Sequence, residues 1–353
     1  MRSVLITGGG GFVGSNTSEY YRQRPDIEEV IVIDNLSRQN LLKRKIKHYD
    51  YNWDYLKQFE NIKLIQKDIL DFEFLKRTFQ ENSIDIIIHT AAQTAVTTSI
   101  TDPIADFKNN LIGTFNLLEA VRLSESNPTM IFCSTNKVFG DNVNKCNVEE
   151  QDTRYTFSDK TLKGISEKYS IDLCEHTPYG ASKLCSDLYF QEYGHIYGLK
   201  TAVFRMSCIY GPKQFGVEDQ GWVAHFIISA LTGKKINIYG DGKQVRDILY
   251  ISDLINCFEA FIQKADKIKH DVFCIGGGIN NTISLLELIE ILERELNKDI
   301  EYEFFDWRPS DQKVYISDIT KAKSVLDWEP IIKPVDGVKN LINWVENNKN
   351  LFT

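Results

Sequence analysis

Three glycines spaced three residues apart follow the first apolar segment of the chain. The segment is Val4–Thr7, and the glycines are Gly8, Gly11 and Gly14. A residue without a Cβ atom permits a tight turn at the first position, close approach of a ligand to the backbone at the second, and close packing of a helix at the third. The pattern predicts a β-strand, a glycine turn and a helix in direct succession.

The glycine turn and the next apolar run together indicate a nucleotide cofactor. Phosphate binds to the N–H groups at a helix N-terminus, although a simple glycine-rich loop is the alternative for such a motif taken alone. The second run, Val30–Ile33, ends on Asp34, about 20 residues beyond Gly14, where a carboxylate can accept hydrogen bonds from both ribose hydroxyls. This placement favours NAD over NADP, while Arg38, which can pair with a 2′-phosphate, is the argument for NADP.

Two further strand ends carry candidate cofactor contacts. Asp68 and Ile69 close a third strand pattern, where they either meet the adenine or form a surface turn. The run Ile84–Ile88 is apolar except for Asp85, as expected for a central strand that is covered on both faces. Because ligands of such sheets bind at the carboxyl ends of the strands, we expect Ala91, Ala92 and Gln93 to face the cofactor.

Length and charge limit the classes of protein to which the chain can belong. Its 353 residues are enough for one large domain or two unequal ones. A formal net charge of −8 argues against a nucleic-acid partner, and an anionic substrate must therefore meet local cations.

No apolar stretch approaches the roughly 20 residues of a membrane span. The first strand begins at residue 4, which leaves no room for a signal peptide, so we expect a cytosolic protein.

The seven cysteines are scattered, with no CxxC pair. This arrangement indicates neither a disulfide framework nor a zinc site, and we expect no metal. Cys133 and Cys208 fall in apolar runs and are interpreted as reduced core residues.

Short β-branched runs alternate with longer amphipathic segments along the first half of the chain. The runs at 3–7, 30–34, 62–66, 84–89, 129–133 and 200–205 predict strands, and the alternation predicts parallel strands with crossover helices. The fold class is therefore α/β, a Rossmann-type doubly wound parallel sheet with a smaller C-terminal substrate-binding domain. We place the first domain at 1–206, with a return at 245–275, and the second at 207–244 and 276–353, including a helix over 284–296.

Tyr179 and Lys183 lie four residues apart, on one face of a predicted helix. A phenol with a pKa of about 10 is a poor base at neutral pH, but a nearby cation and the charge of an oxidised nicotinamide both favour the phenolate. Lysine can also hold the nicotinamide ribose. The spacing alone occurs by chance on many surfaces, and it is the preceding glycine pattern that gives it a catalytic meaning.

Two more residues are candidates for the same site. The Thr135 hydroxyl emerges at the carboxyl end of the fifth strand, where it can donate to a substrate oxygen. Asn110 can distort a helix and support a water relay behind Lys183, with an ordinary capping role as the alternative.

These residues resemble the extended short-chain dehydrogenase/reductase family over essentially the whole chain. The resemblance implies that a nucleotide-diphosphate sugar is oxidised by tightly bound NAD and then epimerised, dehydrated or decarboxylated. Four motifs carry it: Thr7-Gly8-x-x-Gly11-x-x-Gly14, Tyr179-x-x-x-Lys183, Gly240-Asp241-Gly242-x-Gln244-x-Arg246-Asp247, and Asp318-x-x-Lys321-Ala322 through Leu326-x-Trp328-x-Pro330.

Finer motifs separate the branches of that family. Its 4,6-dehydratases carry Asp-Glu after the threonine as the acid and base of water elimination, whereas this chain has Asn136 and Lys137, neither of which can serve as that carboxyl pair. The segments 134–137, 174–179 and 214–223 resemble 2-epimerases of the CDP-paratose and CDP-tyvelose type. The resemblance implies a CDP-linked sugar as the substrate and Tyr179, Thr135 and Lys183 as the catalytic residues.

The resemblance and the residue chemistry together give two sets of expected binding residues. The cofactor set is Gly8, Gly11, Phe12, Val13, Gly14, Asp34, Asn35, Ser37, Arg38, Asp68, Ile69, Ala91, Ala92, Gln93, Asn110, Tyr179 and Lys183. The substrate set is Thr135, Asn136, His176, Gln214, Gln220, Trp222, Tyr239, Arg246 and Arg308. Guanidinium groups match pyrophosphate geometry, so Arg246 and Arg308 are expected to anchor the diphosphate, with a surface ion pair as the alternative for each.

Three functions remain open at this point. A C2 epimerase is favoured; a UDP-sugar 4-epimerase needs the same relay; and a non-enzymatic NAD-binding regulator commonly lacks the Tyr/Lys pair. By analogy with the family, a homodimer or homotetramer is expected.

Overall fold

The computed structural model describes residues 1–41, 47–308 and 311–353. In chain order, the elements of the first part are β1 (Arg2–Thr7), α1 (Phe12–Arg22), β2 (Ile27–Asp34), α2 (Arg38–Leu41), α3 (Tyr51–Leu56), β3 (Ile62–Gln66), α4 (Phe72–Glu81), β4 (Ile86–His89), α5 (Val96–Thr101), α6 (Pro103–Phe107), a π-helical turn (Lys108–Ile112), α7 (Gly113–Leu123) and β5 (Thr129–Thr135). They continue with a 3₁₀ segment (Asn136–Lys145), β6 (Val148–Glu150), β7 (Tyr155–Phe157), α8 (Thr177–Tyr197), β8 (Lys200–Met206), β9 (Cys208–Tyr210), α9 (Trp222–Thr232), β10 (Ile236–Tyr239), β11 (Val245–Tyr250), α10 (Ile251–Ile268) and β12 (His270–Ile275). The last elements are β13 (Thr282–Ser284), α11 (Leu285–Leu296), β14 (Tyr302–Phe305), β15 (Val314–Tyr315), α12 (Thr320–Leu326), α13 (Pro334–Asn347) and a 3₁₀ turn (Lys349–Leu351).

The central sheet has seven strands in the order β12-β8-β5-β4-β1-β2-β3. The ladders from β5 to β3 are all parallel. The predicted α/β class and Rossmann-type sheet are thus confirmed, and each of the six predicted strand runs corresponds to a strand of this sheet.

The register places the carboxyl ends of the inner strands at one edge. Thr7 of β1 pairs with Ile33 of β2 on one side and with His89 of β4 on the other. Ile86–Ile88 are buried on both faces of the sheet, as their uninterrupted apolar run predicts. The residues that follow these strand ends are therefore close to one another.

The chain divides into two compact units. The first comprises 1–135, 177–205 and 255–273, and the second comprises 136–176, 206–254 and 274–353. The boundaries expected from the sequence differ at 136–176, 206, 245–254 and 274–275, which the sequence assigned to the first domain.

The first unit buries an apolar core on its sheet. Large side chains in this core include Leu117 of α7, Phe132 of β5 and Phe190 of α8. Within the described residues, no helix combines the length and the apolar character that crossing a bilayer requires.

The second unit contains smaller sheets and its own core. β11 pairs with β13, β15 and β9, β10 pairs in parallel with β14, and β6 pairs with β7. α11 begins as its sequence predicts, because the Ser284 hydroxyl accepts from the Glu287 N–H while the Glu287 carboxylate accepts from the Ser284 N–H. All seven cysteines are free thiols.

Candidate active site

The glycine turn after β1 packs closely against neighbouring backbone, which is possible only because its residues lack side chains. Gly8 has a φ of +72°, and a Cβ atom there would lie 2.6 Å from the Ala91 nitrogen. A Cβ on Gly14 would lie 2.4 Å from the Gly8 carbonyl oxygen. α1 begins at Phe12, with Gly11 as its N-cap and no side-chain cap, so the first N–H groups of the helix are left to a ligand. This geometry fits a pyrophosphate at the predicted position.

Asp34 ends β2 beside that turn. One carboxylate oxygen accepts from the Gly10 N–H at 2.9 Å, and the other accepts from the Leu36 N–H at 2.7 Å. Burial raises the pKa of Asp34, and these two N–H donors act against that shift. Each oxygen keeps a lone pair for a ribose hydroxyl. Burial also lowers the pKa of Arg38 in α2 to about 10.

The adenine-side candidates form a connected group. Asn35 donates to Asp68 at 2.8 Å and accepts from the Ser37 N–H at 3.0 Å. The second Asp68 oxygen accepts from the Leu70 N–H at 2.9 Å, which makes a turn, while Ile69 is buried. The segments that follow β2 and β3 are thus joined through the side chains of Asn35 and Asp68.

Tyr179 and Lys183 lie in the first turns of α8 and are both buried. The Lys183 ammonium donates to the Cys133 carbonyl at 2.7 Å and lies 4.1 Å from the Phe132 ring centroid. The Thr135 hydroxyl, two residues after Cys133, hydrogen-bonds to the Tyr179 phenolic oxygen. The structure therefore brings together the three residues for which the sequence predicts catalysis.

The electrostatics of this group differ from the sequence-based expectation. Burial raises the pKa of Tyr179 to about 12, the Thr135 hydrogen bond acts against that rise, and the Asp106 charge adds to it. Burial lowers the pKa of Lys183 to about 8. The expected lowering of the phenol pKa by Lys183 is not found, because desolvation is the larger effect and the ammonium binds a carbonyl of β5.

Behind the pair lies a polar network that the sequence did not reveal. Asn110 lies in the π-helical turn, so the predicted helix distortion is found. Its amide donates to Asp106 and to Ser182, each at 3.0 Å, and its oxygen accepts from the Gln93 N–H at 2.8 Å. The sequence also did not indicate a contact of Ser99, whose hydroxyl accepts a hydrogen bond from the Tyr179 N–H at 3.1 Å. The signal in the sequence that could have indicated this network is the position of Asp106, four residues before Asn110.

The remaining candidates belong to the second unit. Asn136 is buried at the start of the 3₁₀ segment, and burial lowers the pKa of the neighbouring Lys137. The His176 ring lies 3.0 Å from the Val138 carbonyl oxygen, and it also contacts the Cys174 sulfur at 3.5 Å. His176 is therefore held against the backbone of its own unit.

Both predicted arginine anchors are paired with carboxylates. Arg246 is buried and donates to Asp311 at 2.7 Å, while Arg308 pairs with Asp219 at 3.1 Å. The Arg308 guanidinium also lies 4.0 Å from the ring centroid of Tyr239. One face of that ring is thus covered by a cation.

The other predicted substrate residues lie before and in α9. Gln214 is buried and donates to the Ile209 carbonyl at 3.1 Å, while its amide oxygen has no partner among the described residues. Gln220 exchanges backbone hydrogen bonds with Val217, each at 2.9 Å. Trp222 begins α9 and donates to the Cys208 sulfur at 3.4 Å. In the described part of the chain, no group of three or more His, Cys, Asp or Glu residues is placed to hold a metal ion.

Known proteins resemble the chain over its whole length. It is 39% identical over 349 residues to a CDP-paratose 2-epimerase from Salmonella typhi, covering 98% of this chain and 99% of the relative. It is 32% identical to a UDP-glucuronate 4-epimerase from Thermodesulfobacterium geofontis, covering 100% of this chain and 98% of the relative. The solved structure of a UDP-glucuronic acid 4-epimerase from Bacillus cereus, in complex with UDP-glucuronic acid and NAD, superposes with a TM-score of 0.81 at 26% identity, covering 98% of this chain and 100% of that one.

The family match agrees with the geometry of the first unit. The sequence profile of the NAD dependent epimerase/dehydratase family matches residues 4–276, which include the glycine turn, Asp34, Thr135, Tyr179 and Lys183. The cofactor is therefore NAD, and this protein belongs to the NAD-dependent epimerase/dehydratase family, the extended branch of the short-chain dehydrogenases and reductases.

Proposed function

We propose that the protein inverts carbon 2 of a CDP-linked hexose of the paratose and tyvelose type. The observation that carries this proposal is the 39% identity, over nearly the full length of both chains, to a CDP-paratose 2-epimerase. The three catalytic residues support an oxidation and reduction at one carbon, but they do not by themselves choose that carbon.

In the proposed reaction Tyr179 acts as the base. As the phenolate, it accepts the proton of the C2 hydroxyl, and it returns that proton after the sugar has turned its other face to the cofactor. In the structure the Thr135 hydroxyl hydrogen-bonds to the phenolic oxygen and thereby favours the phenolate. When substrate is bound, the same hydroxyl donates to the substrate oxygen instead. The transient product is a 2-keto sugar, so the substrate undergoes no net oxidation.

The first unit holds the cofactor for this reaction. NAD, when bound, supplies the electron acceptor that takes a hydride from C2 and gives it back. The turn at Gly8 and Gly11 receives the pyrophosphate, and Asp34 accepts from the ribose hydroxyls. Lys183 uses one of its three N–H bonds on Cys133, which leaves two for the nicotinamide ribose.

The second unit supplies the groups that bind the nucleotide sugar. Arg246 and Arg308 bind the diphosphate oxygens, and Tyr239 contacts the nucleobase. Asp311 and Asp219 hold the two guanidinium groups in the structure. The sugar contacts are assigned to Asn136, His176, Gln214, Gln220 and Trp222.

The absence of a suitable acid and base argues against sugar dehydration. Asn136 has no titratable group, and Lys137 is a cation where a 4,6-dehydratase carries a glutamate. Elimination of water needs a carboxyl pair beside the sugar, so the reaction stops at epimerisation.

A UDP-sugar 4-epimerase is the second candidate. The full-length relative that is 32% identical and is named a UDP-glucuronate 4-epimerase favours it. The same Tyr179, Thr135 and Lys183 would serve at C4, because only the orientation of the sugar changes. A regulator that binds NAD without turnover has no comparable support.

Proton NMR of the purified protein in deuterated buffer tests the proposal. CDP-, UDP- and GDP-linked hexoses are added separately, without extra cofactor, and the ring protons are followed. We expect inversion at C2 with the CDP sugar only. Inversion at C4 of a UDP sugar would replace the proposal with the second candidate, and a lack of change with every sugar would contradict both.

Quaternary structure is a separate proposal. We propose a homodimer or homotetramer by analogy with the family, and light scattering of the purified protein measures the number of subunits. A monomer at micromolar concentration would contradict this proposal.

A further inference from the structure

Asp106 is a buried carboxylate that none of the sequence motifs includes. It lies in α6 with 1% of its surface exposed. One oxygen accepts from Gln93 and from Asn110, each at 3.0 Å, and the other accepts from the Ser182 hydroxyl at 2.6 Å. A buried carboxylate is costly unless its lone pairs are satisfied, and three donors satisfy this one.

Its three donors come from three different parts of the first unit. Gln93 lies in the segment after β4, Asn110 in the π-helical turn, and Ser182 in α8 between the two catalytic residues. The Ser182 hydroxyl also contacts the Tyr179 carbonyl at 3.1 Å. Asp106 therefore links the cofactor-facing segment to the turn of α8 that carries Tyr179 and Lys183.

Burial raises the pKa of Asp106 itself, while the hydrogen bonds from Ser182 and Gln93 act against that shift and favour the carboxylate. The negative charge of this carboxylate acts on both catalytic groups. It raises the pKa of Tyr179, because it disfavours the phenolate, and it raises the pKa of Lys183, because it favours the ammonium. In Lys183, burial lowers the pKa and outweighs the effect of Asp106. In Tyr179, burial and the Asp106 charge both raise the pKa.

Other charged and titratable groups around Lys183 are already engaged or neutral. Asp187 pairs with Arg205 at 2.9 Å. Burial raises the pKa of the Cys133 thiol to about 12 and lowers the pKa of His89 to about 3. Asp106 is thus the carboxylate near Lys183 that is held by neutral donors instead of by a guanidinium.

We propose that Asp106 is a positioning residue for catalysis: its hydrogen bonds fix the turn of α8 that carries Tyr179 and Lys183, and its negative charge balances the buried ammonium. This inference rests on the proposed roles of those two residues. It does not depend on which sugar carbon is inverted.

The Asp106→Asn variant separates charge from shape. The amide oxygen still accepts from Gln93 and Asn110, and the amide nitrogen donates to the Ser182 oxygen, whose hydroxyl still reaches the Tyr179 carbonyl. Only the charge is lost. The pKa of Tyr179 and the pKa of Lys183 should then both fall, so both limbs of the pH profile of kcat/KM should move to lower pH.

Ultraviolet titration of tyrosinate in NAD-saturated protein measures the first shift without any sugar. The Tyr179 signal is obtained by subtraction. Wild type minus the Tyr179→Phe variant gives the signal with Asp106 present, and Asp106→Asn minus the double variant Asp106→Asn/Tyr179→Phe gives the signal without the Asp106 charge. We expect the midpoint to fall by on the order of 0.5 to 1 pH unit. Asp102→Asn, at the N-cap of the same helix, is the matched control and should leave the midpoint in place.

An Asp106→Asn protein that retains NAD but titrates like the wild type would overturn the charge role. Because this titration needs no substrate, it gives the same answer whether or not the proposed reaction is correct. If Asp106→Asn does not fold, Ser182→Ala tests the positioning role, since it removes the 2.6 Å hydrogen bond and keeps the charge. We expect kcat to fall about tenfold with an unchanged tyrosinate midpoint, and full kcat would contradict the proposal.

Discussion

The Lys183 ammonium lies 2.7 Å from the carbonyl oxygen of Cys133, at the end of the strand that also carries Thr135. A single strand end thus places two of the three proposed catalytic residues. The lysine is held by the sheet, and its proposed role is to bind the cofactor ribose and to contribute charge.

Replacing Tyr179 by Phe removes the proton acceptor and leaves the cofactor contacts in place. We expect epimerisation to fall by about 10²- to 10⁴-fold while the amount of bound NAD stays the same. Tyr189→Phe, an exposed position on the same helix, is the control and should retain activity. Full turnover by the Tyr179 variant would remove this residue from the mechanism.

Thr135 offers a matched pair of variants. Thr135→Ser keeps the hydroxyl that hydrogen-bonds to Tyr179, whereas Thr135→Val keeps the shape and loses it. We expect kcat/KM to fall about 10²-fold in the valine variant and to change little in the serine variant. Equal rates for the two variants would show that the hydroxyl has no part in the reaction.

Asp34 should decide how firmly NAD is retained. Asp34→Ala removes the ribose acceptor and also frees the Gly10 and Leu36 N–H groups. We expect NAD affinity to fall about 10- to 100-fold, measured as the cofactor content of the purified protein and by titration. Glu28→Ala, an exposed position on the same strand, serves as the control. Unchanged cofactor content in Asp34→Ala would place the ribose contact elsewhere.

His89 should make the stability of the fold depend on pH. Its ring lies between the Thr7 hydroxyl at 2.6 Å and the Thr114 hydroxyl at 2.9 Å, and burial lowers its pKa from 6.5 to about 3. The unfolded chain binds a proton in this window and the folded protein does not. The free energy of unfolding should therefore fall as the pH falls from about 6.5 towards 3.

Urea unfolding at several pH values measures this dependence. The His89→Gln variant should lose most of the slope over the window, in addition to any loss of stability at neutral pH. His48→Gln, at an exposed position, is the control for the change of residue type. A wild-type slope in His89→Gln would assign the pH dependence to other groups.

Local patterns were sufficient to predict the elements that carry the cofactor. The apolar run before Asp34 and the continuous run Ile86–Ile88 correspond to β2 and β4, because buried parallel strands need apolar residues on both faces. Ser284 was predicted as the start of a helix and is the N-cap of α11. In each case the signal lies within a few consecutive residues.

Contacts between distant parts of the chain were not accessible in the same way. Asp106 meets Ser182 across 76 positions, and no spacing rule relates two residues that only the fold brings together. The pKa of Tyr179 was misjudged for a similar reason, since burial, the largest contribution, depends on the surrounding fold. Short strands such as β13 and β15 have too few residues to show a periodicity.

The most direct test of the proposed reaction uses CDP-tyvelose or CDP-paratose deuterated at C2, in ordinary water. If Tyr179 moves the hydroxyl proton while the carbon-bound hydrogen stays within the active site, the product should be inverted at C2 and should retain its deuterium over many turnovers. Loss of the label to water, or inversion at another carbon, would contradict the account.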